Sequence, residues 1–162
     1  MSRLQVETIN SRQQCAAAVE RLIESARSQI AIFSQQLEPL LYNQPAVCQK
    51  VSQLARNPRY AGIRIIAQST RSVSTQGHCL IDLAQRLPSA IQIRIPQTEE
   101  LQHFSESWLI IDDHAMVQIS DPKRYEGSVI ENDRLHVKPR LEFFNHAWEN
   151  SQQDQNTRRL SL

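Results

Sequence analysis

Three short runs of apolar residues constrain this chain more than any other feature: Ile30-Ala31-Ile32-Phe33, Ile63-Arg64-Ile65-Ile66-Ala67 and Ile91-Gln92-Ile93-Arg94-Ile95. Each is too short for a helix, and each stands behind a stretch whose apolar residues recur at helical spacing. In the first such stretch Cys15, Val19, Leu22, Ile23 and Ala26 share a face, and Ser11 with Gln14 forms a capping-box start, so residues 11–28 read as an amphipathic helix. In the second, Pro45 suits a first helical position, Val47, Cys48, Val51, Leu54 and Ala55 line one face, and Asn57-Pro58 ends the run. In the third, Cys79, Leu80, Leu83, Ala84 and Leu87 lead to Pro88. Strands alternating with helices predict an α/β fold with a mixed, mainly parallel sheet flanked by helices on both faces.

The rest of the chain fits the same plan. Residues 68–77 are polar and read as a loop. Trp108 to Ile111 and Ala115 to Ile119 flank Asp112-Asp113-His114, a hairpin turn. A last helix is expected from about Arg140 to Asn150, with Leu141, Phe144, Ala147 and Trp148 at helical spacing. Trp108 and Trp148 read as core. Residues 1–150 are expected to form a single domain and 151–162 a flexible polar tail.

Composition narrows the function classes. At 162 residues, 40% hydrophobic and 22% charged, the chain can bury a core without staples. A net charge of +1 supplies no global attraction to nucleic acid or membrane, so an anion site must come from local clustering. Cys15, Cys48 and Cys79 are odd in number and widely spaced, which predicts three free thiols. No signal-peptide core and no membrane-length apolar run are present, so the expectation is a cytoplasmic chain with no membrane partner.

The hairpin from Trp108 to Lys123 resembles the core of the phospholipase D superfamily, whose motif is HxKxxxxD followed by GSxxN. With Asp112 at the aspartate position, the histidine position falls on Ser105 and the lysine position on Ser107. Downstream, Ile119, Ser120 and Lys123 take the glycine, serine and asparagine positions, so Asp112 and Ser120 alone match. The order of helices and strands resembles one half of that family's fold, and Phe144 to Trp148 is similar to its terminal helix. The chain also resembles a domain appended to some bacterial GNAT acetyltransferases. The family's histidine attacks phosphorus and its lysine holds the phosphoryl oxygens. Serine brings neither an imidazole nor a cation, so the resemblance implies a module without that catalysis. A protein partner or a homodimer is then expected.

Other constellations compete with this reading. A rearranged phosphodiesterase or nuclease would draw on Asp112, Ser120 and His103 as catalytic candidates. Asp112-Asp113-His114 offers oxygen and nitrogen ligands, but adjacent turn residues seldom converge on one ion, and no metal is expected. No GxSxG elbow is present, and three glycines leave no credible phosphate loop; Arg59-Tyr60-Ala61-Gly62 precedes a strand rather than a helix. No cofactor is expected. Basic and apolar residues alternate from Arg134 to Arg140, so an extended segment would put Arg134, His136, Lys138 and Arg140 on one anion-binding face, close in sequence to Lys123 and Arg124. A nucleic-acid-binding module is the third reading, though no interleaved aromatics support base stacking.

Overall fold

Ser11 starts the first helix as its spacing predicts. Its Oγ accepts a hydrogen bond from the Gln14 N–H at 3.2 Å, and the Gln14 side chain accepts from the Asn10 N–H at 2.7 Å. The computed structural model describes residues 6–59 and 62–155. After β1 (Val6–Ile9) come α1 (Arg12–Ser25) and β2 (Gln29–Ser34), then α2 (Pro39–Tyr42), α3 (Pro45–Arg56) and β3 (Gly62–Ala67). Two helices, α4 (Arg71–Gln76) and α5 (Cys79–Arg86), lead to β4 (Ile91–Pro96). A short α6 (Glu99–Gln102) precedes β5 (Ser107–Ile111), β6 (Ala115–Asp121) and β7 (Glu126–Ile130), and α7 (Arg134–Glu149) and β8 (Ser151–Gln153) complete the described chain.

The strands form one mixed sheet in the order β1-β7-β6-β5-β2-β3-β4-β8. The three apolar runs are β2, β3 and β4, and they pair in parallel. Parallel pairing nevertheless carries less of the sheet than the sequence suggests: β5 runs antiparallel to β2, and β6, β7, β1 and β8 all join antiparallel neighbours. The reason is the short connection after β4. It holds too few residues for a full crossover helix back along the sheet, so β5 starts at the end where β4 stops. Strands β1 and β7 escape the sequence pattern because they bury one side chain each, Ile9 and Val129. Gly127 in β7 is required by packing, since a Cβ there would run into the Gln118 carbonyl.

Helices cover both faces. On one face α1, α3 and α5 pack on Ile30, Ile32, Ile63, Ile65, Ile91 and Ile93. On the other, α7 lays Val137, Phe144, Ala147 and Trp148 against Ala31, Phe33, Ile66, Trp108 and Ile110. Trp108 is fully buried and in contact range of Phe33, Phe104 and Phe143, with ring centroids 4.8 to 5.4 Å away.

Three expectations are corrected. The supposed loop at 68–77 contains α4, because Val73 anchors it in the core and the Ser74 and Thr75 hydroxyls return hydrogen bonds to the Arg71 carbonyl. The start of the supposed tail is ordered: β8 pairs with β4, the Asp154 N–H donates to Ile93 O at 2.9 Å, and Thr70 Oγ1 donates to the Asp154 carboxylate at 2.6 Å. The remainder of that tail, with Arg158 and Arg159, lies outside the described residues, as do Tyr60 and Ala61.

The third correction concerns the thiols. Cys48 and Cys79 form a disulfide with a Cα–Cα distance of 6.0 Å, and among the three cysteines Cys15 alone is free. The parallel β2–β3–β4 order sets α3 beside α5, so residues far apart in sequence meet. The linked cysteines are 31 residues apart, which on loop-closure grounds stabilises the fold by roughly 3–4 kcal/mol. Denaturant titration with and without a thiol reductant should show a loss of about that size, and Cys48→Ser should reproduce it without reductant.

Candidate functional site

The ends of β2 and β3 and the start of β5 meet at one edge of the sheet, where the motif alignment places Ser105 and Ser107. Ser107 follows the alternation of Leu109 and Ile111 and so faces the α1 side of the sheet. It is 1% exposed, and its Oγ has no hydrogen-bond partner. Ser105 is exposed, and its carbonyl accepts from the Gln35 amide at 3.3 Å. Ser34, in register to neighbour Ser107, donates to the Glu38 carboxylate at 2.7 Å and accepts from the Leu37 N–H at 2.8 Å. Tyr42 from α2 is fully buried with an unpartnered hydroxyl.

The titratable groups of this edge are held in unreactive forms. Burial, reinforced by Glu38, pushes the Cys15 thiol up to about 12, so it stays protonated and is a poor nucleophile. Burial and then the Glu38 charge also raise Tyr42 well above the phenol range. His78, at the start of α5, is 2% exposed and was not singled out from sequence. Its Nδ1 accepts from the Leu80 N–H at 3.1 Å, which makes Nε2 the protonated nitrogen that donates to Leu37 O at 3.0 Å. Both ring nitrogens are thus committed to backbone. The only sequence signal for His78 is its place just before a helix-period run.

Asp112 stands at the opposite end of β5, about 17 Å from Ser107 at an ordinary strand rise. It adopts φ 53°, a left-handed conformation that Asp tolerates better than most residues. Its carboxylate accepts from the N–H groups of Arg27, Ser28 and Gln29 and from the Ser28 hydroxyl, at 2.8 to 3.3 Å. Burial pushes the carboxyl up, but these donors outweigh it and leave it below the usual aspartate range. Asp112 therefore clamps the α1–β2 loop to the β5–β6 turn.

The three rearranged catalytic candidates do not assemble. Ser120 follows Ile119, the partner of Ser107, so it lies at the edge away from Asp112; its hydroxyl donates to Glu126 O at 3.3 Å beside a register shift in β6–β7. His103 is exposed at the end of α6, and its Nδ1 donates to Glu99 O at 3.0 Å. In the turn Asp113 faces Arg134 at 3.1 Å and His114 at 3.6 Å, while Asp112 is turned onto backbone, so the three side chains do not converge.

The proposed basic face is also corrected. Residues 134–140 are the first turns of α7 rather than an extended strand, because Asp133 caps the helix through the His136 N–H at 3.0 Å and Val137 belongs to its buried stripe. Pro139 sits inside that helix and withdraws a donor from the Leu135 carbonyl, on the exposed side. Each of the four basic residues faces its own carboxylate. Arg134 meets Asp113, His136 meets Asp133, Lys138 meets Glu142, and Arg140 meets Glu106 while lying over the Trp108 ring.

Two arginines inside the strands carry less compensated charge. Arg64 in β3 and Arg94 in β4 both project to the α7 face, where Arg64 lies over Phe144 and Trp148 and Arg94 lies 4.2 Å from the Trp148 ring centroid. Arg94 also donates to Trp148 O at 2.9 Å, near the carbonyl end of α7. Burial and the neighbouring Arg94 charge lower the Arg64 pKa, with Glu149 opposing. The available signal was an arginine inside each of two apolar strands.

Two outcomes follow from these contacts. Asp112→Ala should cost on the order of 3 kcal/mol in chemical denaturation, since partly buried backbone donors lose a charged acceptor, and Asp112→Asn should retain much of that stability. His78 is held below its ordinary value, first by burial, with the Leu37 carbonyl and Asp82 partly opposing. Below about pH 6.5 the unfolded chain therefore binds a proton that the folded chain refuses, so this contribution is complete above that pH and is lost as pH falls. Urea midpoints measured across that range should decline on acidification, and the decline should flatten in His78→Asn.

Among solved structures the chain is similar to TrmBL2, an archaeal chromatin protein described as showing a novel mode of DNA binding, with a TM-score of 0.68 at 17% identity. The match covers 92% of this chain and 53% of that one, so this chain spans about half of that protein's length. It is also similar to Nuc of Salmonella typhimurium, a phospholipase D family member, with a TM-score of 0.60 at 18% identity over 94% of this chain and 97% of that one. NucT from Helicobacter pylori gives 0.61 at 11% identity over 94% and 99%. These likenesses show a phospholipase D-like fold. A search of curated proteins found no match. One family matches residues 11–160, nearly the whole chain, and on that match the protein belongs to the family described as Domain of unknown function (DUF7931).

Proposed function

We propose that this chain is a non-catalytic phospholipase D-like module that acts by binding. The observation that carries the reading is the edge of the sheet at Ser107. The positions where the phospholipase D superfamily keeps its histidine and lysine hold serines, and the buried imidazole, His78, has both nitrogens bonded to backbone. Among the described residues, a phosphoryl group at Ser107 would meet no free imidazole, and the neighbouring cation Arg140 is engaged by Glu106 and the Trp108 ring. Asp112 in this reading is a structural survivor of the motif, and Ser120 holds a strand connection. A second copy of the chain, or an enzyme such as an acetyltransferase regulated in a bacterial cell, is the partner this reading favours.

Nucleic-acid binding is the second reading. It is favoured by the arginine pair of β3 and β4 and by the DNA binding named for TrmBL2. A phosphodiesterase using Asp112, Ser120 and His103 is disfavoured by their separation. An assay of purified protein with bis(p-nitrophenyl) phosphate decides between catalysis and binding. No turnover above the blank is expected; turnover abolished by Ser120→Ala or His103→Ala would sink the non-catalytic reading.

A further inference from the structure

We propose that the α7-side face of β3, β4 and β8 is a binding site for phosphoryl oxyanions, held by Arg64 and Arg94 with the amides of Gln92 and Gln153. The inference rests on the binding-module reading and gives that module a ligand class. The register sets Arg64 opposite Gln92 and Arg94 opposite Gln153, and directly paired residues share a face. Four hydrogen-bond donors therefore form a block on one patch of sheet, and no carboxylate belongs to that block. A cleft of about 320 Å³, lined by Gln92, Arg94, Ser151, Gln152 and Gln153, opens beside it.

The charge of this patch is poorly compensated. Arg134, His136, Lys138 and Arg140 each face a carboxylate within 4.0 Å, whereas no carboxylate comes that close to either strand arginine among the described residues. The acidic group felt there is the exposed Glu149. Arg94 uses one N–H on Trp148 O, and the rings of Phe144 and Trp148 hold both guanidinium groups in place. Two like charges kept side by side in a half-buried setting are stabilised by an anion that takes bidentate hydrogen bonds. The phosphoryl oxyanion has two possible sources, a nucleic-acid backbone or a free phosphorylated small molecule.

The test titrates the whole chain with two probes, a fluorescent single-stranded oligonucleotide and pyrophosphate alone, over a series of salt concentrations. Arg64→Gln should weaken the bound probe about tenfold and reduce the salt slope by about one for an oligonucleotide. Arg94→Gln should act similarly. Glu149→Gln, an exposed change that leaves the fold intact, should tighten binding by about twofold, so the proposal stays testable if an arginine variant unfolds. Arg134→Gln and Lys138→Gln should have no effect. Oligonucleotide binding that pyrophosphate displaces only weakly assigns the source to nucleic acid; pyrophosphate binding without oligonucleotide binding assigns it to a free phosphate compound. The proposal is overturned if neither probe responds to Arg64→Gln and Glu149→Gln, or if affinity follows Arg134 and Lys138 instead. Loss of anion binding leaves the non-catalytic reading standing, whereas phosphodiester turnover would remove that reading alone.

Discussion

The antiparallel ladder between β2 and β5 is the joint on which the structure depends. On one side of it stand the parallel strands β2, β3 and β4, and on the other the meander of β5, β6, β7 and β1. Asp112 locks this joint at one end by drawing the N–H groups of Arg27, Ser28 and Gln29 onto one carboxylate, while the Asp112 N–H donates to Gln29 O at 2.9 Å. Backbone donors that would otherwise be stranded between a helix end and a strand start are satisfied together. Removing that carboxylate would loosen two connections at once, the α1–β2 loop and the β5–β6 turn.

The opposite end of the same ladder is closed by burial. Leu37, Leu41 and Tyr42 seal over Ser34 and Ser107, and the segment that carries them is tied down twice, through Leu37 O to His78 and through the Asn43 side chain to the Cys79 N–H at 3.0 Å. The disulfide fixes α5 to α3 beside that segment. Glu38 lies at that end, bonded to Ser34, whereas the strand arginines Arg64 and Arg94 lie on the other face of the sheet. There the covering layer is α7, and its last turn stops over β3 and β4, where the two strand arginines lie against Phe144 and Trp148.

The central strands were legible because β-branched runs bounded by turn signals have one economical fate in a chain of this size. The α7 start was not, because a period-two alternation of basic and apolar residues is local information. It was overridden by the Asp133 cap and by Val137 reaching the core about two turns ahead of the Phe144–Trp148 stripe it joins. The four basic residues looked like a patch in sequence, yet two of their carboxylate partners, Asp113 and Glu106, come from the β5–β6 turn and the residue before β5. Arg64 and Arg94 stood in sequence only as members of two apolar runs, and bringing them onto neighbouring strands needed the β3–β4 register.

What the sequence determined by itself was the class of fold and the residue types available at each candidate position. Apolar periodicity specifies helices and strands locally, and a serine cannot do the work of an imidazole or an ammonium wherever it is placed. Tertiary structure alone decided the antiparallel joining of β5 to β2, the Cys48–Cys79 link, the structural duty of Asp112 and the company each arginine keeps. Those are all meetings between residues distant in the chain, and such meetings are set by strand order and register, which no local pattern encodes.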